Sequence, residues 1–171
     1  MTLIKSISGI RGTIGGKPGD GLSPLDIVKF ASAYGSWIIS QDSSKKVTVV
    51  IGRDARLSGQ MVNNIVCGTL VGLGINVIDL GLSTTPTVEV AVTELKADGG
   101  IILTASHNPK QWNALKLLNN KGEFISDSEG KYILEQAEKE DFTYCDVNQL
   151  GSYEQNNKLL QLHIDKVLNL P

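Results

Sequence analysis

The sequence contains few of the residues that mark a disulfide-stabilised, metal-binding or membrane protein. Its 171 residues include two cysteines, Cys67 and Cys145, which share no metal-ligand spacing and suggest no disulfide framework. The start of the chain lacks the long apolar core of a signal peptide, and no apolar run approaches the ~18 residues of a membrane-spanning helix. Since neither cysteine stands beside a histidine or a cationic cluster in the sequence, we expect unreactive thiols in a reducing cytoplasm.

Net charge is also small. The 16 lysines and arginines nearly balance the 18 aspartates and glutamates, which gives a formal net charge of -2. This balance points to neither nucleic acid nor a membrane as a partner, so an anionic ligand would have to be held by local charge. With 41% hydrophobic residues, the chain is long enough for one domain with a sizeable core, or for one domain and the start of another.

Apolar periodicity predicts alternating helices and strands. A first helix is predicted after the N-cap Ser23, with Pro24 in its first turn and Asp26 near its positive end. β-Branched runs predict strands buried on both faces, and Ser126 and Glu129 stand at capping-box spacing before a later helix. The predicted strands span 45–52, 75–81, 99–103 and 114–119, and two further helices are predicted to begin near Ser58 and at the cap Thr85.

This alternation predicts an α/β fold, a three-layer α/β/α domain with a mixed, mostly parallel central sheet. The segments 99–103 and 114–119 are joined too briefly for a parallel crossover, so one of them is expected to be an antiparallel strand. We expect the domain to cover residues 1–150. Residues 151–171 are predicted to be a linker and the truncated start of a second domain, because they end in an amphipathic helix. Its apolar face consists of Leu159, Leu160, Ile164, Val167 and Leu168.

Residues 104–113 interrupt two apolar segments with turn-forming side chains. In an α/β sheet, ligands gather at loops beyond the carboxyl ends of strands, and this excursion is longer than a hairpin requires. The residues alone favour an ordinary solvated loop in which His107 is an exposed polar residue. Adjacent Ser106 and His107 cannot easily form a nucleophile and base pair, because such a pair needs a specific hydrogen-bond geometry and an orienting third group.

Five short motifs give this loop a different interpretation. They are "GIRG" (9–12), "IGRDARLSG" (51–59), "VIDLGLSTTP" (77–86), "TASHNP" (104–109) and "NALK" (113–116). Together they resemble the signature segments of the α-D-phosphohexomutases, the family of phosphoglucomutase, phosphomannomutase and phosphoglucosamine mutase. The matches occur in family order with family-like spacing, so the loop is identified as the family's active-serine loop.

The resemblance implies that Ser106 is phosphorylated in the resting enzyme and passes this phosphoryl group to a hexose monophosphate. The bisphosphorylated sugar then reorients and returns its other phosphate, so that the 6-phosphate and the 1-phosphate interconvert. The resemblance also implies a catalytic Lys116, a phosphate-binding Arg11 and an assisting His107. In the family a Mg²⁺ ion is bound, and a phosphoserine oxygen on Ser106 would be one of its ligands.

The resemblance further implies which partners the domain has. Hexose phosphates would be the substrates, and domains II–IV of the same polypeptide, which this chain lacks, would supply the other metal ligands and the sugar-discriminating loop. Neither nucleic acid nor a membrane is expected as a partner. As a domain I fragment, the chain is expected to be inactive alone. Ala114 replaces the family's usual glycine, which restricts the backbone there and weakens any choice among the subfamilies.

Two motifs with arginine allow more than one role. Arg11 lies between two glycines, which would let the backbone approach a ligand closely, and its forked guanidinium suits phosphate. The alternative is a surface arginine in a flexible N-terminal loop. For Arg53, Asp54 and Arg56 we prefer a structural role, a salt-bridge network that braces the loop after the first long strand.

Two other functional interpretations stay open. A non-catalytic sugar-phosphate-binding or phospho-regulatory domain of the same fold would bind hexose phosphates without carrying phosphate on Ser106. A serine hydrolase fits poorly, because the Gly-x-Ser-x-Gly elbow is absent around Ser106 and the other histidine, His163, lies in the predicted tail.

Overall fold

The structure is a computed structural model that describes residues 1–6, 9–42 and 44–170. The strands are β1 (Ile4–Ser6), β2 (Gly9–Thr13), β3 (Thr48–Arg53), β4 (Asn76–Leu82), β5 (Gly99–Leu103), β6 (Trp112–Leu118) and β7 (Tyr153–Gln155). The helices are α1 (Pro24–Gln41), α2 (Gly59–Gly72), α3 (Thr85–Glu94), α4 (Asp127–Lys139) and α5 (Leu159–Leu168), with a 3₁₀ turn at Val147–Gln149. Pro171, the end of the predicted second unit, lies outside the described residues.

The strands described above form one mixed sheet in the order β1-β2-β6-β5-β3-β4-β7. The pairs β3–β4, β3–β5 and β4–β7 are parallel, and the other neighbours are antiparallel. Since β6 opposes both β5 and β2, the strands β2, β3, β4, β5 and β7 share one direction. The predicted mostly parallel sheet is confirmed, with β6 as the predicted antiparallel strand. The short β1 also runs against the majority, which the sequence did not indicate.

Helices cover both faces of this sheet, which confirms the three layers. Helices α1, α2 and α4 contribute to the larger buried cluster, whereas α3 and α5 contribute to a smaller cluster on the other face. In β3, Val49 and Ile51 belong to the larger cluster and Val50 to the smaller one. Successive side chains of a strand point to opposite faces, so this β-branched run is buried on both sides, as its composition predicts.

Side-chain caps fix the beginnings of several helices. Ser23 caps α1 as predicted, and the predicted capping box of Ser126 and Glu129 is present at the start of α4. The start of α3 differs from the prediction by one residue, because Thr84 rather than Thr85 is the N-cap. The sequence offers two threonines before a proline, and a proline is tolerated at either of the first helical positions here, so spacing alone did not separate them.

Residues 151–170 add one strand to this sheet and one helix to its smaller buried cluster. Strand β7 pairs with β4, and α5 packs against α3. The predicted helix is confirmed, but its buried side is different: Leu159 is buried and Leu162 packs against the smaller cluster. The other residues of the predicted apolar face, Leu160, Ile164, Val167 and Leu168, are exposed. The division of the chain at residue 150 stays a prediction.

The two cysteines differ in burial: Cys67 is buried and Cys145 is partly buried. Burial raises the pKa of Cys67 to about 12, so this thiol is protonated near neutral pH and unreactive. The Cys145 Sγ lies 3.2 Å from the carbonyl oxygen of Gly72, to which it donates. Among the described helices, none is both long and apolar enough to cross a bilayer.

Candidate functional site

A cavity of about 270 Å³ lies at the carboxyl edge of the parallel strands, between β2, β6 and the loop that follows β5. All four site residues predicted from the sequence line it, namely Arg11, Ser106, His107 and Lys116. Thr104, Ala114 and Phe124 are among the other lining residues. The fold therefore brings together, at one place, side chains that the sequence distributes over separate segments.

Ser106 lies in an exposed turn directly after β5. Its backbone φ is 55°, in the left-handed region where residues other than glycine are uncommon. The Ser106 N–H donates to Oγ1 of Thr104 at 3.0 Å, and the Asn108 N–H donates to the carbonyl of Ala105 at 3.0 Å. This tight turn places Ser106 and the exposed His107 beside the cavity.

A hydrogen-bond network from the loop after β3 contacts this turn. The guanidinium of Arg56 donates to Oδ2 of Asp54 at 3.1 Å, and Asp54 also accepts from the Thr104 hydroxyl at 2.6 Å. Further acceptors of Arg56 are the backbone carbonyls of Ser106, Asn108, Pro109 and Trp112, at 2.8 to 3.0 Å. The predicted ion pair of Asp54 and Arg56 is present, but it braces the serine loop. Arg53 contacts Gln60 and the Asp54 backbone instead.

Lys116 reaches the cavity from β6. Ala114 also lines the cavity, as expected for alternate residues of a strand, which share a face. The Lys116 ammonium lies 5.8 Å from the centroid of the Phe124 ring, within the range of a cation–π interaction. None of the ion pairs formed by the described residues involves Lys116. The Lys116 ammonium is therefore available to form an ion pair with an anion in the cavity.

Arg11 reaches the cavity from β2, which pairs with β6. Gly9 has a φ of 125°, and a Cβ there would collide with the carbonyl oxygen of Leu115. A Cβ at Gly12 would lie 2.9 Å from the backbone nitrogen of Leu22. The sequence suggested that the two glycines let the backbone approach a ligand. In the structure they are explained by close contact with neighbouring backbone, while the exposed Arg11 side chain faces the cavity.

The charge around the cavity favours an anion. Arg11 and Lys116 are cationic, and none of the described residues that line the cavity is a carboxylate. In the described part of the chain, no group of three or more His, Cys, Asp or Glu side chains is placed to hold a metal ion. Mg²⁺ binds oxygen ligands, commonly one or two carboxylates with phosphate oxygens. The residues present thus fit a phosphate group and do not by themselves form a magnesium site.

The contact of Phe124 with Lys116 and the hydrogen bonds of Arg56 to distant carbonyls were not predicted from the sequence. Phe124 comes close to Lys116 because the chain reverses at the turn of Asn119 and Gly122, where Gly122 has a φ of 73°. The turn was predicted, but the contact of the Phe124 ring, which follows the turn, with Lys116 was not. The carbonyl acceptors of Arg56 have no signature in the sequence, since every residue has a carbonyl.

Comparisons with known proteins agree with this geometry. A family model described as phosphoglucomutase/phosphomannomutase, alpha/beta/alpha domain I, matches residues 3–144. This chain belongs to the phosphoglucomutase/phosphomannomutase family. The matched residues include β1 through α4 and every residue of the cavity.

Relatives of this phosphoglucomutase/phosphomannomutase domain come from several organisms. The chain is 31% identical over 160 residues to a phosphoglucomutase/phosphomannomutase of Thermococcus kodakarensis, covering 92% of the chain and 35% of that protein. It is 41% identical over 97 residues to a phosphoglucosamine mutase of Leuconostoc mesenteroides, covering 57% of the chain and 21% of that protein. The chain thus spans about a third or less of the length of these relatives.

A solved structure confirms the fold of the domain. The crystal structure of a phosphoglucomutase/phosphomannomutase family protein from Burkholderia thailandensis aligns with a TM-score of 0.74 and 27% sequence identity. The alignment covers 93% of this chain and 35% of that chain. The three-layer α/β architecture is therefore that of a phosphohexomutase domain I.

Proposed function

We propose that the domain holds a phosphoserine at Ser106 and serves in the interconversion of hexose 6-phosphate and hexose 1-phosphate. The observation that supports this best is the exposed Ser106 beside a cavity lined by Arg11 and Lys116 and, among the described residues, by no carboxylate. Positive surroundings suit a hydroxyl that gains about -1.5 to -2 charges on phosphorylation. The mutase names of the relatives support the same chemistry.

The proposed cycle consists of two phosphoryl transfers. In the first, the bond between phosphorus and the Ser106 Oγ breaks as a hydroxyl oxygen of the hexose monophosphate bonds to phosphorus. The hydroxyl proton passes to the serine side, which leaves a bisphosphorylated sugar and a free serine. After the sugar reorients, the Ser106 Oγ bonds to the other phosphorus as the bond between that phosphorus and its sugar oxygen breaks. The serine proton passes to the released sugar oxygen, which restores the phosphoserine and leaves the isomeric hexose monophosphate.

Each residue of the cavity has a role in this proposal. Lys116 would contact the transferring phosphoryl group and the sugar hydroxyl, where a compact cation with several donors can assist the proton transfer. Arg11 would bind phosphate through its planar guanidinium, and His107 would donate a hydrogen bond near the phosphoserine. These contacts lower the energy of a transition state in which charge spreads over the phosphoryl oxygens.

The family resemblance also implies Mg²⁺. In the described residues of this chain, the ligand we propose for it is the phosphate on Ser106, so the other ligands would come from domains II–IV. When bound, the ion would neutralise charge on the transferring group. For this reason we expect no turnover from the 171-residue chain alone.

Intact-mass measurement of the full-length protein tests the phosphoserine. We expect one phosphate in the wild type and none in Ser106→Ala, and we expect Ser106→Ala to lose mutase activity on hexose phosphates. Ser128→Ala serves as the matched control, since this exposed serine lies on α4 away from the cavity. The control should keep both the phosphate and the activity.

The outcomes separate the proposal from its alternatives. Full activity in Ser106→Ala would refute a phosphoserine mechanism. Binding of hexose phosphates to a protein that never carries phosphate on Ser106 and shows no mutase activity would instead indicate a non-catalytic sugar-phosphate-binding domain of the same fold.

A further inference from the structure

The guanidinium of Arg56 forms hydrogen bonds to the serine loop and to the carboxylate of Asp54. Its N–H donors form five hydrogen bonds, four to backbone carbonyls between Ser106 and Trp112 and one to the carboxylate of Asp54. The side chain is only 10% exposed. A largely buried cation with all five donors satisfied, four of them by one loop, is an unusually specific arrangement, because an arginine on a surface shares its donors with water.

The network holds the backbone of Ser106 from both sides. On one side, the Ser106 N–H donates to Thr104 Oγ1, whose hydroxyl donates to Asp54. On the other side, the Ser106 carbonyl accepts from Nη2 of Arg56 at 2.8 Å. Between them, Ser106 has a φ of 55°. A residue other than glycine keeps this conformation only where the surrounding structure holds it, and such residues cluster at functional sites.

We infer that Arg56 is a positioning residue, which holds the Ser106 backbone in its left-handed conformation and so aims the Oγ into the cavity. This inference rests on the proposed role of Ser106 as phosphoryl carrier. Transfer requires the serine oxygen, the phosphorus and the sugar oxygen to be aligned, and small displacements of reacting groups slow such reactions strongly. Arg56 is not among the residues that line the cavity, so it acts through the loop.

Lysine cannot replace Arg56 in this role. The four carbonyl acceptors receive donors from Nη1 and Nη2, two bonds each, so a planar fork is needed. A lysine ammonium keeps the charge but provides a single nitrogen. Arg53 offers a matched control, because it belongs to the same motif and its side chain bonds Gln60 and the Asp54 carbonyl, outside the serine loop.

Kinetics of the full-length protein test the inference. We expect Arg56→Lys to lower kcat by about 100-fold, the loss typical of a misplacement on the order of 1 Å, with little change in KM because substrate contacts are kept. Arg53→Lys should keep kcat. In Arg56→Ala, added guanidinium chloride should restore part of the activity, and the same concentration of urea should not.

Hydrogen exchange of the same variants gives a readout that does not depend on activity. In Arg56→Lys, amides of residues 104–112 should exchange faster, while amides of β3 and α1 keep their wild-type rates. Faster exchange in β3 and α1 as well would show general destabilisation and overturn the positioning role. Unchanged exchange at 104–112 would also overturn it.

The two proposals fail in different ways. If Ser106→Ala is inactive and Arg56→Lys keeps a wild-type kcat, the positioning role is wrong and the phosphoserine proposal stands. If Ser106→Ala is fully active, the phosphoserine proposal fails, and the kinetic role of Arg56 fails with it.

Discussion

Asp79 lies in β4 and Asp54 directly follows the neighbouring parallel strand β3. Each contacts segments that are distant in the sequence, but the two have different partners. The Asp54 side chain is 30% exposed, pairs with Arg56 and accepts from Thr104 of the serine loop. Asp79 is 3% exposed and accepts from the neutral donors Asn63 and Tyr153. The partly exposed carboxylate thus pairs with a cation at the candidate site, whereas the buried one accepts hydrogen bonds from neutral donors of α2 and β7.

The burial of Asp79 should make its loss the largest effect on stability. We expect Asp79→Ala to lower the free energy of unfolding by about 3 kcal/mol, because Asn63 and Tyr153 lose an acceptor and a cavity remains. Urea denaturation of wild type and variant measures this. Glu154→Ala is the control, since this exposed acidic residue lies in β7 itself. A loss within about 0.5 kcal/mol, the range of ordinary surface substitutions, would contradict the assigned role of Asp79.

Asp54→Ala should have a smaller effect on global stability, about 2 kcal/mol. The reason is that Arg56 would keep its four carbonyl acceptors, so its charge stays hydrogen-bonded. Hydrogen exchange should show the change at residues 104–112 and leave β7 unaffected, whereas Asp79→Ala should show the opposite pattern. Equal acceleration in both segments would mean that the two carboxylates do not act on separate parts of the fold.

The smallest expected effect is a pH dependence at Tyr153. Its hydrogen bond to Asp79 is the main cause that raises the pKa of this phenol from 10.0 to about 12. A raised folded-state pKa stabilises the fold below pH 10, and this contribution is lost as the pH rises from 10 to about 12. Since Tyr153 is half exposed, the energy involved is small.

Ultraviolet absorbance titration resolves this tyrosine by difference. The signal that ionises near pH 12 should vanish in Tyr153→Phe, and in Asp79→Asn it should move back towards pH 10. An unchanged titration in Asp79→Asn would show that the carboxylate does not set this pKa. Tyr34 does not confuse the comparison, because burial raises its pKa further and neither substitution touches it.

Local signals in the sequence were sufficient for the helices α1 to α5 and for the strands β3 to β6, whereas β1, β2 and β7 were not predicted. The β-branched runs and the capping residues Ser23, Ser126 and Glu129 act through neighbours in the chain, so their strands and helices were predicted within a few residues. The face on which α5 packs was not predicted. Leu162 is buried by contact with the distant α3 layer, and periodicity alone cannot choose between two apolar sides of one helix.

Four residues that line the candidate site were predicted from the sequence, but the hydrogen bonds that hold the serine loop in place were not. Ser106, Lys116, Arg11 and His107 were identified from motifs, and the structure gathers them around one cavity. Their roles stay predictions. The function of Arg56 could not be derived, because it depends on carbonyls 50 to 56 residues away along the chain. Contacts of a side chain with distant backbone leave no trace in residue identity.

The left-handed backbone at Ser106 also limits which amino acids can occupy this position. Threonine offers the same kind of hydroxyl, but its branched Cβ makes a positive φ a genuine outlier. Asparagine and glycine accept the backbone and have no hydroxyl. An exchange of serine for threonine is mild at most sites, yet here the backbone would select against threonine and the proposed chemistry against asparagine and glycine, which leaves serine as the residue that satisfies both.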